Sequence, residues 1–124
     1  MLNQVVMVGR LTREVEVKEN EDGKKFSTMT LAIPRSYKNA DGVYDTDFID
    51  VVLFDNIAQN TSEYCKKGDI VGVKGRVQSR VIENEDSKEY RREIIAEKVT
   101  FLSSSKSKDE EQDNDKEQDD EMEM

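Results

Sequence analysis

The sequence predicts an all-β domain: a small closed barrel of five strands with one helix between the third and fourth, followed by an acidic tail without structure of its own. Three observations carry that prediction. Five segments read as strands: the first is apolar and rich in β-branched residues, and the middle three divide their residues between two faces with a period of two. One segment alone, between the third and fourth of these, spaces its apolar residues as a helix does. After Leu102 apolar residues all but vanish until Met122 and Met124.

The first strand is Leu2–Leu11, and Val15–Lys18 reads as its continuation after a bend. Asn20-Glu21-Asp22-Gly23 is a hairpin turn signal. From Lys25 to Pro34, Met29, Leu31 and Ile33 alternate with Thr28, Thr30 and Ala32, the pattern of a half-buried strand. Pro34 has no N–H for a ladder and is taken as the end of the regular part. Ser36–Thr46, containing Asn39-Ala40-Asp41-Gly42, then reads as an extended hairpin loop. The third strand, Asp47–Phe54, sets Ile49, Val51 and Leu53 against Phe48, Asp50, Val52 and Phe54. Asp55-Asn56 offers a cap for a helix over Ile57–Lys66. Lys66-Lys67-Gly68 supplies a basic last turn and a glycine stop. The fourth strand, Ile70–Ile82, places Val71, Val73, Val77 and Val81 on one face and Lys74, Arg76, Gln78 and Arg80 on the other. Gly72 and Gly75 let it bend, as a small barrel requires. Asn84–Glu89 is a polar turn, and Tyr90–Leu102 is the last strand. Three strands, one helix and two strands make the five-stranded OB-fold barrel.

Residues 1–102 are therefore one OB-fold domain and 103–124 a disordered acidic tail. The net charge of −9 sits mostly in that tail, which holds ten acids and three lysines, net −7, against 18 acids and 16 bases, net −2, in the barrel. A local basic surface on the barrel is compatible with this balance. There is no histidine, and Cys65 is the one cysteine. Ordinary zinc sites and histidine-based acid–base chemistry are thereby removed, which weighs against most enzyme classes and leaves no cofactor or metal expected. A lone cysteine, no apolar run of about 18 residues and no signal-peptide pattern lead to a cytoplasmic, nucleoid-associated expectation.

Gripping unpaired nucleic acid without reading its sequence needs exposed rings for base stacking and a basic track for phosphates. Phe48 and Phe54 are an even number of residues apart, so they share a face, out of phase with Ile49, Val51 and Leu53. Tyr37, flanked by Arg35 and Lys38, sits where a strand passes into the hairpin loop. Lys74, Arg76 and Arg80 line the outer face of the long strand, and Lys66 and Lys67 follow the helix. Each has an ordinary alternative: strand phenylalanines usually fill cores, charge rows usually face solvent, and Lys66-Lys67 suits a helix C-terminus. Cys65 reads as a small packing residue. The residues alone leave three readings open: a single-stranded DNA-binding protein, an RNA-binding OB-fold protein, and an assembly adaptor working through the tail.

MLNQVVMVGRLT, TLAIPRSY, DFIDVVLFDNIAQN, YCKKGDIVGVKGRVQSR and EIIAEKVTFL together resemble the bacterial and phage single-stranded DNA-binding proteins, in order over residues 1–102. The resemblance implies a homotetramer that wraps and protects unpaired DNA in replication, recombination and repair. It implies base stacking on Tyr37, Phe48 and Phe54, with Ile82 at a fourth place where many relatives have Trp or Tyr. It also puts Arg10, Lys38, Lys66, Lys67 and Arg80 at DNA-facing positions. Relatives often carry basic residues where this chain has Asp50, Asp55 and Asn56. The family's tail ends in acids and a Pro/Phe tip that docks on replication and repair enzymes. Here the tip is Asp119, Asp120, Glu121, Met122, Glu123 and Met124, acids with methionines in place of Pro and Phe.

Overall fold

A computed structural model describes residues 1–104. The strands are β1 (Val5–Leu11), β2 (Lys18–Glu19), β3 (Lys25–Lys38), β4 (Tyr44–Phe54), β5 (Ile70–Glu83) and β6 (Lys88–Ser103), with α1 (Asp55–Tyr64) between β4 and β5. They form one sheet in the order β1-β5-β6-β4-β3-β2, and an additional β1–β3 pairing closes it into a five-stranded barrel. Closure comes from β1 changing partner. Val5–Arg10 pair antiparallel with Gly75–Ile70, while Arg10 and Leu11 also face Ala32 and Leu31 of β3. The β4–β6 seam is the one parallel contact of the barrel among the described residues, Val51 opposite Ile94 and Val52 opposite Ile95.

The inward rows obey the period-two pattern. Met29, Leu31, Val51, Leu53 and Val71 are fully buried, with Leu11 and Val73 almost so. Burying one such side chain stabilises the fold by about 1.5–3 kcal/mol. Helix α1 packs on this core through Ala58 and Thr61, and Cys65 lies buried beyond its end. Burial raises the Cys65 thiol pKa, with Asp69 adding to the rise, so this is a packing residue and not a reactive one.

Several sequence expectations need correction. Val15–Lys18 is not a second piece of strand; only Lys18–Glu19 pairs, with Phe26 and Lys25. Strand β3 does not stop at Pro34 but runs to Lys38, and the extended loop shrinks to a turn closed by Asn39, whose side chain accepts from the N–H groups of Asp41 and Val43. Gly42 takes φ 79° there. Past the β1 pairing, β3 has only β4 beside it, so the missing N–H of Pro34 leaves an edge position unfilled. The register does shift between Pro34 and Lys38.

The helix starts and ends two residues earlier than the spacing predicts. Asp55 enters with φ 51°, a backbone that Asp tolerates better than most residues, and no side chain caps the N-terminus. Lys66 and Lys67 fall outside α1, whose last turn has no basic residue. Asp69 ends the chain reversal instead, its carboxylate accepting the Lys66 N–H at 2.7 Å. In β5, Val71 and Val73 are buried but Val77 and Val81 are exposed, because the β5–β6 hairpin outruns the barrel. Gly75 marks the passage: a Cβ there would collide with the Ile95 carbonyl, where β6 takes up an extra residue between Lys98 and Ala96. Strand β6 is also longer than expected at both ends, and Ser103 still pairs with Ile70.

Candidate nucleic-acid interface

The even-numbered face of β3 and β4 looks outward. Along β4 it presents Phe48, Asp50, Val52 and Phe54, and opposite them on β3 stand Ala32, Thr30, Thr28 and Phe26. Phe48 is 68% exposed, Phe54 45% and Tyr37 63%. These are three large apolar rings held in water on a rigid ladder, which an ordinary core would have absorbed. A base laid on such a ring regains the lost contact, worth about 1–3 kcal/mol per base. The aromatic expectation for Tyr37, Phe48 and Phe54 therefore has the exposure it needs. Ile82, in contrast, is half-buried in the β5–β6 hairpin opposite Glu89.

Beside this row runs a groove of about 420 Å³ lined by Thr28, Asp50, Val52, Arg91, Arg92 and Glu93. Of its lining residues, Asp50 is held from outside the groove: the Thr30 hydroxyl donates to Asp50 Oδ1 at 2.6 Å, and Arg13 reaches Thr30 Oγ1 at 3.3 Å. A second cleft, lined by Arg13, Glu14, Glu16, Lys18, Phe26, Ser27 and Thr28, flanks the Phe26 end of the face.

The cations chosen from sequence divide by what already holds them. Arg10 donates to the Gly68 carbonyl at 2.6 Å, which ties β1 to the turn after α1. Arg35 is forked onto Asp47, at 3.2 and 2.9 Å, with Asp45 at 3.6 Å. The hydrogen bond from Arg35 holds the Asp47 carboxyl below the usual aspartate range, and Asp47 in turn raises the Arg35 pKa. Arg76 donates to Gln78 and Arg80 pairs with Glu93 at 3.3 Å. Lys38 lies 5.7 Å from the centroid of the Tyr44 ring, in cation–π range. Lys74 is exposed opposite Val6 and Lys98, with β6 between it and β4. Lys66 and Lys67 are exposed in the turn after α1. The structure thus puts Phe48 and Phe54 on one face of β4, leaves Tyr37 exposed in the irregular stretch of β3 between Pro34 and Lys38, and scatters the cations named from sequence.

Sequence reasoning missed the two arginines that line the groove, Arg91 and Arg92. An adjacent Arg-Arg pair in the last strand was their signal. It also missed Phe26, whose even position, out of phase with Met29 and Leu31, is the same signal that picked out Phe48. The tail residues Asp119–Met124 lie outside the described residues.

A closed five-stranded OB barrel with exposed rings on one outer face, beside a groove lined by two arginines and two acids, defines a protein of the single-strand-binding class. The model of the single-strand binding protein family matches residues 2–102, and the chain belongs to that family. Single-stranded DNA-binding protein B of Bacillus subtilis (strain 168) is 42% identical over 103 residues, covering 82% of this chain and 91% of that protein. Single-stranded DNA-binding protein 1 of Staphylococcus aureus (strain Mu50 / ATCC 700699) is 39% identical over 113 residues, 90% of this chain and 72% of that one. Among solved structures, the Plasmodium falciparum SSB complex with ssDNA superposes with a TM-score of 0.70 at 27% identity, covering 83% of this chain and 96% of that chain.

Proposed function

We propose that this chain binds and protects single-stranded DNA without sequence reading, in replication, recombination and repair. The observation that carries the reading is the solvent-exposed Phe48–Phe54 row on β4, beside a groove lined by Arg91 and Arg92. Bases stack on Phe48, Phe54 and Tyr37. Phosphates follow Arg91, Arg92 and the exposed lysines Lys38, Lys66, Lys67 and Lys74, and each neutralised phosphate contributes salt dependence. Arg35, Arg76, Arg80 and Arg91, which pairs with Glu89 at 3.3 Å, have protein partners to give up first, so their share is smaller.

The molecule works as a homotetramer in this reading. Its support is apolar surface away from the aromatic face: Val6 and Val8 on β1, Leu102 on β6, and Val77, Val81 and Tyr90 on the hairpin are all exposed. Exposed apolar residues clustered on neighbouring strands in this way mark association surfaces. The acidic tip, Asp119 to Met124, recruits replication and repair proteins, its methionines replacing the apolar tip of relatives.

The test is a titration of the full chain with labelled oligo-dT at two salt concentrations, with matched RNA as competitor. Tight, salt-weakened binding that RNA displaces poorly is expected. No binding at micromolar protein, or a preference for RNA, overturns the reading.

A further inference from the structure

Resting on that reading, we infer that Asp50 gives the binding face a base preference, favouring bases that present an exocyclic amino group over thymine. Asp50 stands in the outward row between Phe48 and Phe54 and lines the same groove as Arg91, Arg92 and Glu93. An acid at this spot opposes a polyanionic ligand. Among the described residues no ion pair neutralises it, since the salt bridges involve Asp45, Asp47, Glu83, Glu89 and Glu93. Its one hydrogen-bond partner is the Thr30 hydroxyl, which donates to Oδ1 at 2.6 Å. That bond fixes the carboxylate and leaves Oδ2 free to accept.

The geometry separates two parts of a nucleotide. Arg92, and Arg91 once released from Glu89, attract phosphate, and the ring of Phe48 or Phe54 takes the face of a base. The edge of that base then meets Asp50. A carboxylate only accepts hydrogen bonds. Cytosine and adenine offer an amino group, as in the pairing of Asp or Glu with cytosine N4, and guanine offers N1–H and N2–H₂ together. Thymine shows one N–H between two carbonyl oxygens, both of which the carboxylate repels. The chain is thus sequence-tolerant through its rings and biased through one side chain.

Thr30 makes the test sharp. In Asp50→Asn the Thr30 hydroxyl still satisfies Oδ1, so the amide Nδ2 turns a donor into the groove where an acceptor stood. Asp50→Ala removes both. Asp50 is exposed, so neither change disturbs the core. The experiment measures affinities of wild type and both variants for dC and dT oligomers of equal length, at one salt concentration. The dC-to-dT affinity ratio is expected to fall about three- to tenfold in Asp50→Ala and further in Asp50→Asn, the scale of one base-edge hydrogen bond. The dT affinity itself should rise in both variants as the charge is removed. If wild type binds both oligomers and the ratio stays unchanged in both variants, the inference is overturned while single-strand binding stands. If wild type binds neither, the functional reading falls and the inference with it.

Discussion

The two sides of strand β4 meet opposite surroundings. On one side Val51 and Leu53 are completely buried, and on the other Phe48 and Phe54 stand in water. The strand is the same and the residues are neighbours; only parity differs. The inward row is what folding requires, because moving large aliphatic surface from water drives the collapse. The outward row is what folding does not explain. Asp50 has a cross-strand bond from Thr30 and Arg91 a pairing with Glu89, but the two phenylalanines beside them gain nothing from folding by standing in water. Function is visible where stability gives no account of the residues.

That contrast can be broken from either side. The largest effect belongs to the inward row. Leu53→Ala should lower unfolding stability by about 2–5 kcal/mol, read by urea or thermal unfolding. Gly75→Ala tests the place where the barrel gives way to the hairpin. The added methyl meets the Ile95 carbonyl, and a loss of about 1–3 kcal/mol in the same assay is expected. On the outward side, Arg92→Ala should leave stability within about 0.5 kcal/mol. It should also reduce the slope of log affinity against log salt by roughly 0.7, the value for one phosphate on a single strand.

The smallest effect concerns the hairpin charge pair. Asp47 has its pKa depressed by Arg35. The pair is fully formed above the ordinary aspartate pKa and is lost only as pH falls through the lower folded value. A carboxyl titration followed by NMR should show Asp47 with a midpoint below the ordinary aspartate range, moving up in Arg35→Gln. Both groups are exposed, so little stability accompanies this.

Much of this was legible from the residues. β-branched apolar runs and, in the middle three, a period of two located the five barrel strands, and the phase of Phe48 and Phe54 against Ile49, Val51 and Leu53 predicted their exposure. What local pattern could not show was how far the strands run. Pro34 reads as a terminator, but β3 has lost its β1 neighbour there, so the missing donor breaks no ladder. Val77 and Val81 read as core, yet the hairpin carries them past the barrel. The cations were the least legible part. Whether an arginine is free depends on partners far along the chain: Gly68 for Arg10, Asp47 for Arg35, Glu93 for Arg80. Arg91 and Arg92 join the aromatic face only through the parallel β4–β6 seam, which pairs residues about forty apart in sequence.

The most direct measurement replaces Phe48 and Phe54 together by alanine and follows oligo-dT affinity and thermal unfolding on the same protein. Loss of about 2–6 kcal/mol of binding, two bases' worth of stacking, with an unfolding midpoint close to wild type is the predicted result. An unfolding midpoint that collapses, or an affinity that does not change, would contradict the assignment of those rings to the ligand.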